Sequence, residues 1–237
     1  MSPANSILLD RLDEYLDTYS GRDKFLKAIC YSLKFATGFS QSSKSIHDLK
    51  LVSSEISNCR TILRFLDYVS VFKYVLSYKF GRNEKDKYLK LIGRISCVLD
   101  VVFYPLEQVA WFAERKVIPV NPDPWDNAST VCWVMSLYLA LMKALRSLTL
   151  LEQHKKCLRS ADADIQVAMD RILIQQRGLL LLSIRTCCDL VYAVHYLPEG
   201  FLWSTKLKVW QVGALGMVSA GIGIFQSLSS WTKAPSS

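Results

Sequence analysis

The sequence predicts an all-α protein of the membrane, with N-terminal amphipathic helices and one or two transmembrane helices. Three observations predict it. From Val209 to Thr232 no Asp, Glu, Lys, Arg or His occurs, and Lys208 and Lys233 bracket the stretch. As a helix it rises ~36 Å at ~1.5 Å per residue, enough to cross a hydrocarbon core of ~30 Å. Elsewhere apolar residues recur at helical spacing, and no alternating segment of useful strand length appears. Finally, 51% of the chain is hydrophobic and its formal net charge is +8, a balance that suits an anionic membrane surface as well as nucleic acid.

At the N-terminus, Met1 to Asn5 lack a basic region and the Ile7-Leu8-Leu9 run stops at Asp10. No cleavable leader is expected there. Breaks in the helical pattern fall at Ser20-Gly21, Gly81-Arg82-Asn83, Pro119 to Pro124 and Pro198-Glu199-Gly200. Ser20 with Asp23, and Asn83 with Asp86, each set a capping side chain three residues before a carboxylate. Asp123-Pro124 is a third start, with proline at the first helical position.

The segment Arg22 to Phe39 predicts an amphipathic helix. Phe25, Leu26, Ile29, Leu33 and Ala36 share one face, widened by Ala28, Phe35 and Phe39, and Lys24, Lys27 and Lys34 lie opposite. Such a helix can lie in the headgroup plane, apolar side down and lysines among lipid phosphates, or it can face a protein core and leave its lysines to water. Arg60 and Arg64 sit on one face of a second predicted helix, Ile56 to Phe80, where pairing with a carboxylate such as Asp67 or Glu55 is expected. From Lys79 to Arg94 basic residues outnumber acidic ones by six to two, which fits an anionic surface or a solvated face.

Two further apolar runs are interrupted by charge. Val131 to Met142 continues past Lys143 and Arg146 to Leu151, and Leu179 to Val194 contains Arg185 and Asp189 at i, i+4. The tail is cleaner. Trp203, Trp210 and Trp231 stand near its ends, where an indole can keep its N–H among headgroups, and Gly213, Gly216, Ser219, Ala220 and Gly223 form a small-residue ridge for helix–helix packing.

No nucleophile elbow, phosphate loop or Cys-x-x-Cys occurs, and His47, His154 and His195 lack metal-ligand spacing. No catalytic, cofactor or metal residue is therefore expected. The seven cysteines are scattered and odd in number, and they read as small buried side chains in a reducing compartment. Basic residues are spread along amphipathic helices without any known module signature, so nucleic acid is not an expected partner.

An ordered set of motifs runs the length of the chain. Gly21-Arg22-Asp23-Lys24 is followed by Tyr31 and Lys34-Phe35, then by Cys59-Arg60-Thr61-Ile62-Leu63-Arg64. Tyr104-Pro105-Leu106-Glu107 and Val109-Ala110-Trp111 come next, then Asp189-Leu190, Ala193-Val194-His195, Leu197-Pro198, Gly216, Ser219 and Gln226. This order resembles the peroxisomal membrane protein 11 family, the peroxin-11 proteins, and its Tyr-Pro-x-Glu and Ala-Val-His elements resemble the gamma branch.

The resemblance implies a multi-pass peroxisomal membrane protein that elongates and divides the organelle and controls its size and number. It implies cytosolic termini, homo- and hetero-oligomers with related members, and contact with a fission adaptor and dynamin-type machinery. The membrane-inserting helix of the family falls on about 22–39 here, with Arg22, Lys24, Phe25, Leu26, Lys27, Ile29, Leu33, Lys34 and Phe35 as its residues and anionic lipids as its partner. The chain would then divide into a cytosolic-side region, 1–124, and a membrane region, 125–237, with spans at about 129–151 and 209–231. Lys206 and Lys208 before the last span against Lys233 after it point the other way for the C-terminus. Charged residues within apolar helices, such as Arg185 and Asp189, leave a metabolite conduit as the alternative function. A soluble helical adaptor with a buried tail is the third.

Overall fold

The computed structural model describes residues 3–78, 81, 84–158 and 165–231. Among them all regular structure is helical. The helices are α1 (Pro3–Asp17), α2 (Tyr19–Ala36), α3 (Ser43–Leu63), a short 3-10 turn (Arg64–Leu66), α4 (Asp67–Tyr78), α5 (Lys87–Glu114), α6 (Asp123–Leu158), α7 (Ile165–His195) and α8 (Val209–Trp231). The chain forms two compact units, one of Met1–Ile62 with Lys208–Ser237 and the other of Leu63–Leu207. The last helix, α8, thus packs with the first helices.

In the first unit, α2 lies between α1, α3 and α8. The chain breaks at Thr18, two residues before the expected start at Ser20. Thr18 has extended backbone, ψ 137°, and its hydroxyl accepts from the Gly21 amide. Gly21 belongs inside α2, where a Cβ would overlap the Tyr15 carbonyl and force α1 and α2 apart.

The second unit packs α4 on α5, α5 on α6 and α6 on α7. The expected single helix from Ile56 to Phe80 is in fact interrupted by the turn Arg64–Leu66. Tightening to i→i+3 shifts the helical phase and lets two adjacent residues reach α5: Arg64 pairs with Glu107, and Phe65 meets Trp111 edge-on at 5.3 Å. Asp86 caps α5, accepting from the Tyr88 and Leu89 amides, and also accepts from Arg146 of α6 at 2.7 Å. The cap was expected at Asn83 with Asp86 as the carboxylate three residues on; Asp86 itself is the cap, and Asn83 lies outside the described residues. Tyr78 of α4 covers Gly93 of α5, and Lys143 of α6 stands 5.2 Å from the centre of the same ring.

Between α6 and α7, Gln176 donates to Glu152 at 2.7 Å and accepts from Lys155, while Trp133 meets Tyr192 at 5.8 Å. His195, at the end of α7, accepts the Leu207 amide on Nδ1 and the Thr205 amide on its carbonyl. Trp203 donates its indole N–H to Val191 at 2.8 Å. Trp203 and Trp210 are both exposed, and the side chain of Trp231 lies outside the described residues. Among the described residues three helices are long and apolar enough to cross a membrane, Asp123–Cys157, Val167–His195 and Val209–Ser229. The third candidate arises because Arg185 and Asp189 interrupt the apolar text without interrupting α7.

Candidate functional site

The residues singled out in the N-terminal amphipathic segment and in the tail meet in one place. Helices α2 and α8 pack along their lengths. Gly38 lies against Trp210, Phe35 against Gly213, Tyr31 against Gly216, Lys27 against Ser219 and Lys24 against Ser227. As the number rises on one helix it falls on the other, so the pair is antiparallel. The glycines make this approach possible. A Cβ at Gly213 would overlap the backbone of Phe35, and one at Gly216 would overlap the Tyr31 ring, so the α8 backbone forms a shallow groove that only hydrogen can line.

Ser219 is fully buried, and Ala220 and Gly223 are buried beside it. Its hydroxyl accepts from Lys27 Nζ at 2.9 Å, and Ser227 accepts from Lys24 Nζ. The third lysine, Lys34, stands 5.2 Å from the centre of the Tyr31 ring. The lysine face of α2 is therefore the docked face. On a wheel of about 100° per residue, Lys24, Lys27, Tyr31 and Phe35 cluster towards α8, whereas Phe25, Ile29, Leu33 and Ala36 fall on the far side. Phe25 is 42% exposed, Leu26, Ile29, Leu33 and Ala36 are half-buried, and Phe39 just beyond the helix is 72% exposed. The face of Phe25, Leu26, Ile29, Leu33 and Ala36 is as expected, but Phe35, expected to widen it, lies against Gly213, and the lysines point to the tail helix and not outward. The physical reason is that α8 offers an ammonium group two serine hydroxyls beside a glycine groove, so the long alkyl stems pack while the charged ends stay hydrogen-bonded.

A third helix fixes α2 from the side. Arg60 Nε donates to Asp23 at 2.8 Å, with the two side chains 13% and 28% exposed. Cys30 is buried, and its Sγ donates to the Ser53 carbonyl at 3.2 Å. Burial pushes this thiol above its ordinary pKa, a shift that Lys34 and Arg60 partly oppose. Arg22 remains at the surface, where it pairs with Asp17 at 3.5 Å and donates to the Leu16 carbonyl. Carboxylate partners for Arg60 and Arg64 were anticipated, and the structure pairs Arg60 with Asp23 and Arg64 with Glu107. Both lie too far away in sequence for spacing to reveal them.

These contacts link the motifs to one another. Asp23 of the first motif pairs with Arg60 of the second, Arg64 of the second with Glu107 of the third, and Lys27 and Tyr31 with Ser219 and Gly216 of the last. Residues 9–228 match the family model described as Peroxisomal biogenesis factor 11 (PEX11).

The chain belongs to the peroxisomal biogenesis factor 11 family.

This is a family of peroxisomal membrane proteins with a role in peroxisome division and proliferation; it is a biogenesis-factor family and not an enzyme family. Among curated relatives, the chain is 32% identical over 231 residues to human peroxisomal membrane protein 11C, an alignment covering 92% of this chain and 94% of that protein. It is 30% identical over 228 residues to the mouse protein of the same name, covering 93% and 95%. No solved structure matches the chain. Within the peroxisomal biogenesis factor 11 family match fall the whole of α2 and most of α8. Among the described residues no group of three or more His, Cys, Asp or Glu could hold a metal ion.

Proposed function

We propose that this chain elongates the peroxisomal membrane ahead of division by laying α2 into the cytosolic leaflet, apolar face down, and by self-association that concentrates such wedges. One observation carries the reading. Phe25, Ile29 and Leu33 sit on the side of α2 that turns away from α8, and Phe25 is 42% exposed. Each large apolar side chain taken from water into the acyl boundary contributes about 1.5–3 kcal/mol. Wedges crowded in one leaflet expand its area relative to the other, and the membrane relieves the mismatch by bending.

In this reading the termini face the cytosol, 1–124 is the cytosolic-side region, 125–237 is the membrane region, and anionic lipid is the surface that α2 meets. Its protein partners are further copies, related family members, a fission adaptor and dynamin-type machinery. The testing experiment is the double substitution Ile29→Glu with Leu33→Glu in cells. Targeting should persist and tubule formation should be lost; normal tubules would refute the wedge. Solute flux through vesicles carrying the parent chain separates this reading from a metabolite conduit, since a wedge requires no conducting path.

A further inference from the structure

We infer that the α2–α8 pair is a latch: α2 must leave α8 before α8 can stand across a bilayer, so that release of the lysine face and spanning by the tail helix are one event. The inference rests on the proposed wedge and on the spanning of α8, and it adds a closed state to both.

Depth decides the matter. Ser219 lies roughly half way along the 23 residues of α8, so an upright α8 places it ~15 Å from either edge of a ~30 Å core. Lys27 Nζ, 2.9 Å from that hydroxyl, would share the midplane. Centring a lysine in a bilayer is costly even on the lower, insertion-based scale. The neighbouring groups add to this burden, because on the same helix Lys24 is tied to Ser227 and Asp23 to Arg60 of α3.

Orientation gives the same answer independently. The antiparallel register from Gly38–Trp210 to Lys24–Ser227 keeps the axes of α2 and α8 running alongside each other. A wedge lies in the membrane plane and a span stands across it. One docked pair cannot do both. On release, Lys24 and Lys27 exchange serine hydroxyls for lipid phosphates, and the groove at Gly213 and Gly216 is vacated.

Replacing Tyr31 with the photoreactive residue benzoylphenylalanine keeps an aromatic ring on the Gly216 groove and reports what it touches. The full-length chain is illuminated in detergent and in sealed phosphatidylcholine–phosphatidylserine vesicles, and the adducts are mapped by mass spectrometry. Adducts to α8 in detergent and to lipid in vesicles are expected. Adducts to α8 that persist in the vesicles overturn the latch, and so does a lack of α8 adducts in detergent. Ser219→Ala with Ser227→Ala removes the two lysine acceptors, and it should raise the ratio of lipid to α8 adducts about tenfold; an unchanged ratio overturns the role given to those hydroxyls. Vesicle shape is scored separately by electron microscopy. Lipid adducts on vesicles that stay round would support the latch while refuting the wedge.

Discussion

Lys27 Nζ donates to Ser219 Oγ at 2.9 Å across 192 positions of sequence. That bond joins the helix expected to lie on the membrane to the helix expected to cross it. Each partner was legible as a residue type, a lysine on a polar face and a serine on a small-residue ridge. Their meeting follows from glycines that let two backbones come close enough for a lysine to reach a hydroxyl.

The groove should be sensitive to volume where α2 fills it and indifferent where it does not. Gly216→Leu would drive a side chain into the Tyr31 ring, with an expected loss of about 1–3 kcal/mol. Gly221, on the same helix, has open space where a methyl group would stand, with nothing within 4 Å, so Gly221→Ala should hold or raise stability by up to ~1 kcal/mol through helix propensity. Thermal melting of both variants in detergent checks the contrast.

The Asp23–Arg60 pair is largely covered, so removing one partner leaves a charge with poor solvation. Asp23→Ala and Arg60→Ala should each cost about 1–3 kcal/mol, and the double substitution should cost less than their sum. A double-mutant cycle by proteolytic susceptibility of the first unit measures this coupling.

Acid should loosen the contact between α5 and α6. The hydrogen bond from Arg146 holds the Asp86 carboxyl below the ordinary carboxylate range, helped by the Leu89 amide. A carboxyl depressed in the folded state contributes stability that is complete above its unfolded value, ~3.9, and that is lost as pH falls through the folded value. Asp86→Asn keeps a capping side chain but removes the charge. The melting temperature of the parent should therefore fall towards that of the variant below about pH 4 and stay above it near neutrality.

Thiol reactivity should separate two cysteines of the first unit. Cys30 is buried with its pKa raised by burial, whereas Cys59 is exposed. A thiolate-directed reagent at neutral pH should label Cys59 at least about tenfold faster. Equal rates would mean that α2 opens readily from α3.

The apolar face of α2 was readable because Phe25, Ile29 and Leu33 repeat at helical spacing. Its start was not: Thr18 and Ser20 are both competent caps, and the close approach of Gly21 to the Tyr15 carbonyl decides between them. The third candidate span was obscured by Arg185 and Asp189, since an apolar run in sequence stops at a charge whereas a helix need not. The break at Arg64–Leu66 carries no glycine or proline. Contacts with Glu107, Trp111 and Phe112 on α5 set it.

By itself the sequence determined helical content, the length and composition of the tail, the two faces of α2 and the order of motifs that marks the family. These follow from local propensity, periodicity and residue type, which a linear chain displays directly. Only the tertiary structure decided that the lysine face is docked, that α8 belongs with the first helices, and that Asp23 and Glu107 are the arginines' partners. Such choices depend on close approach between residues far apart along the chain, and periodicity within one helix contains no information about which other helix will fill its groove.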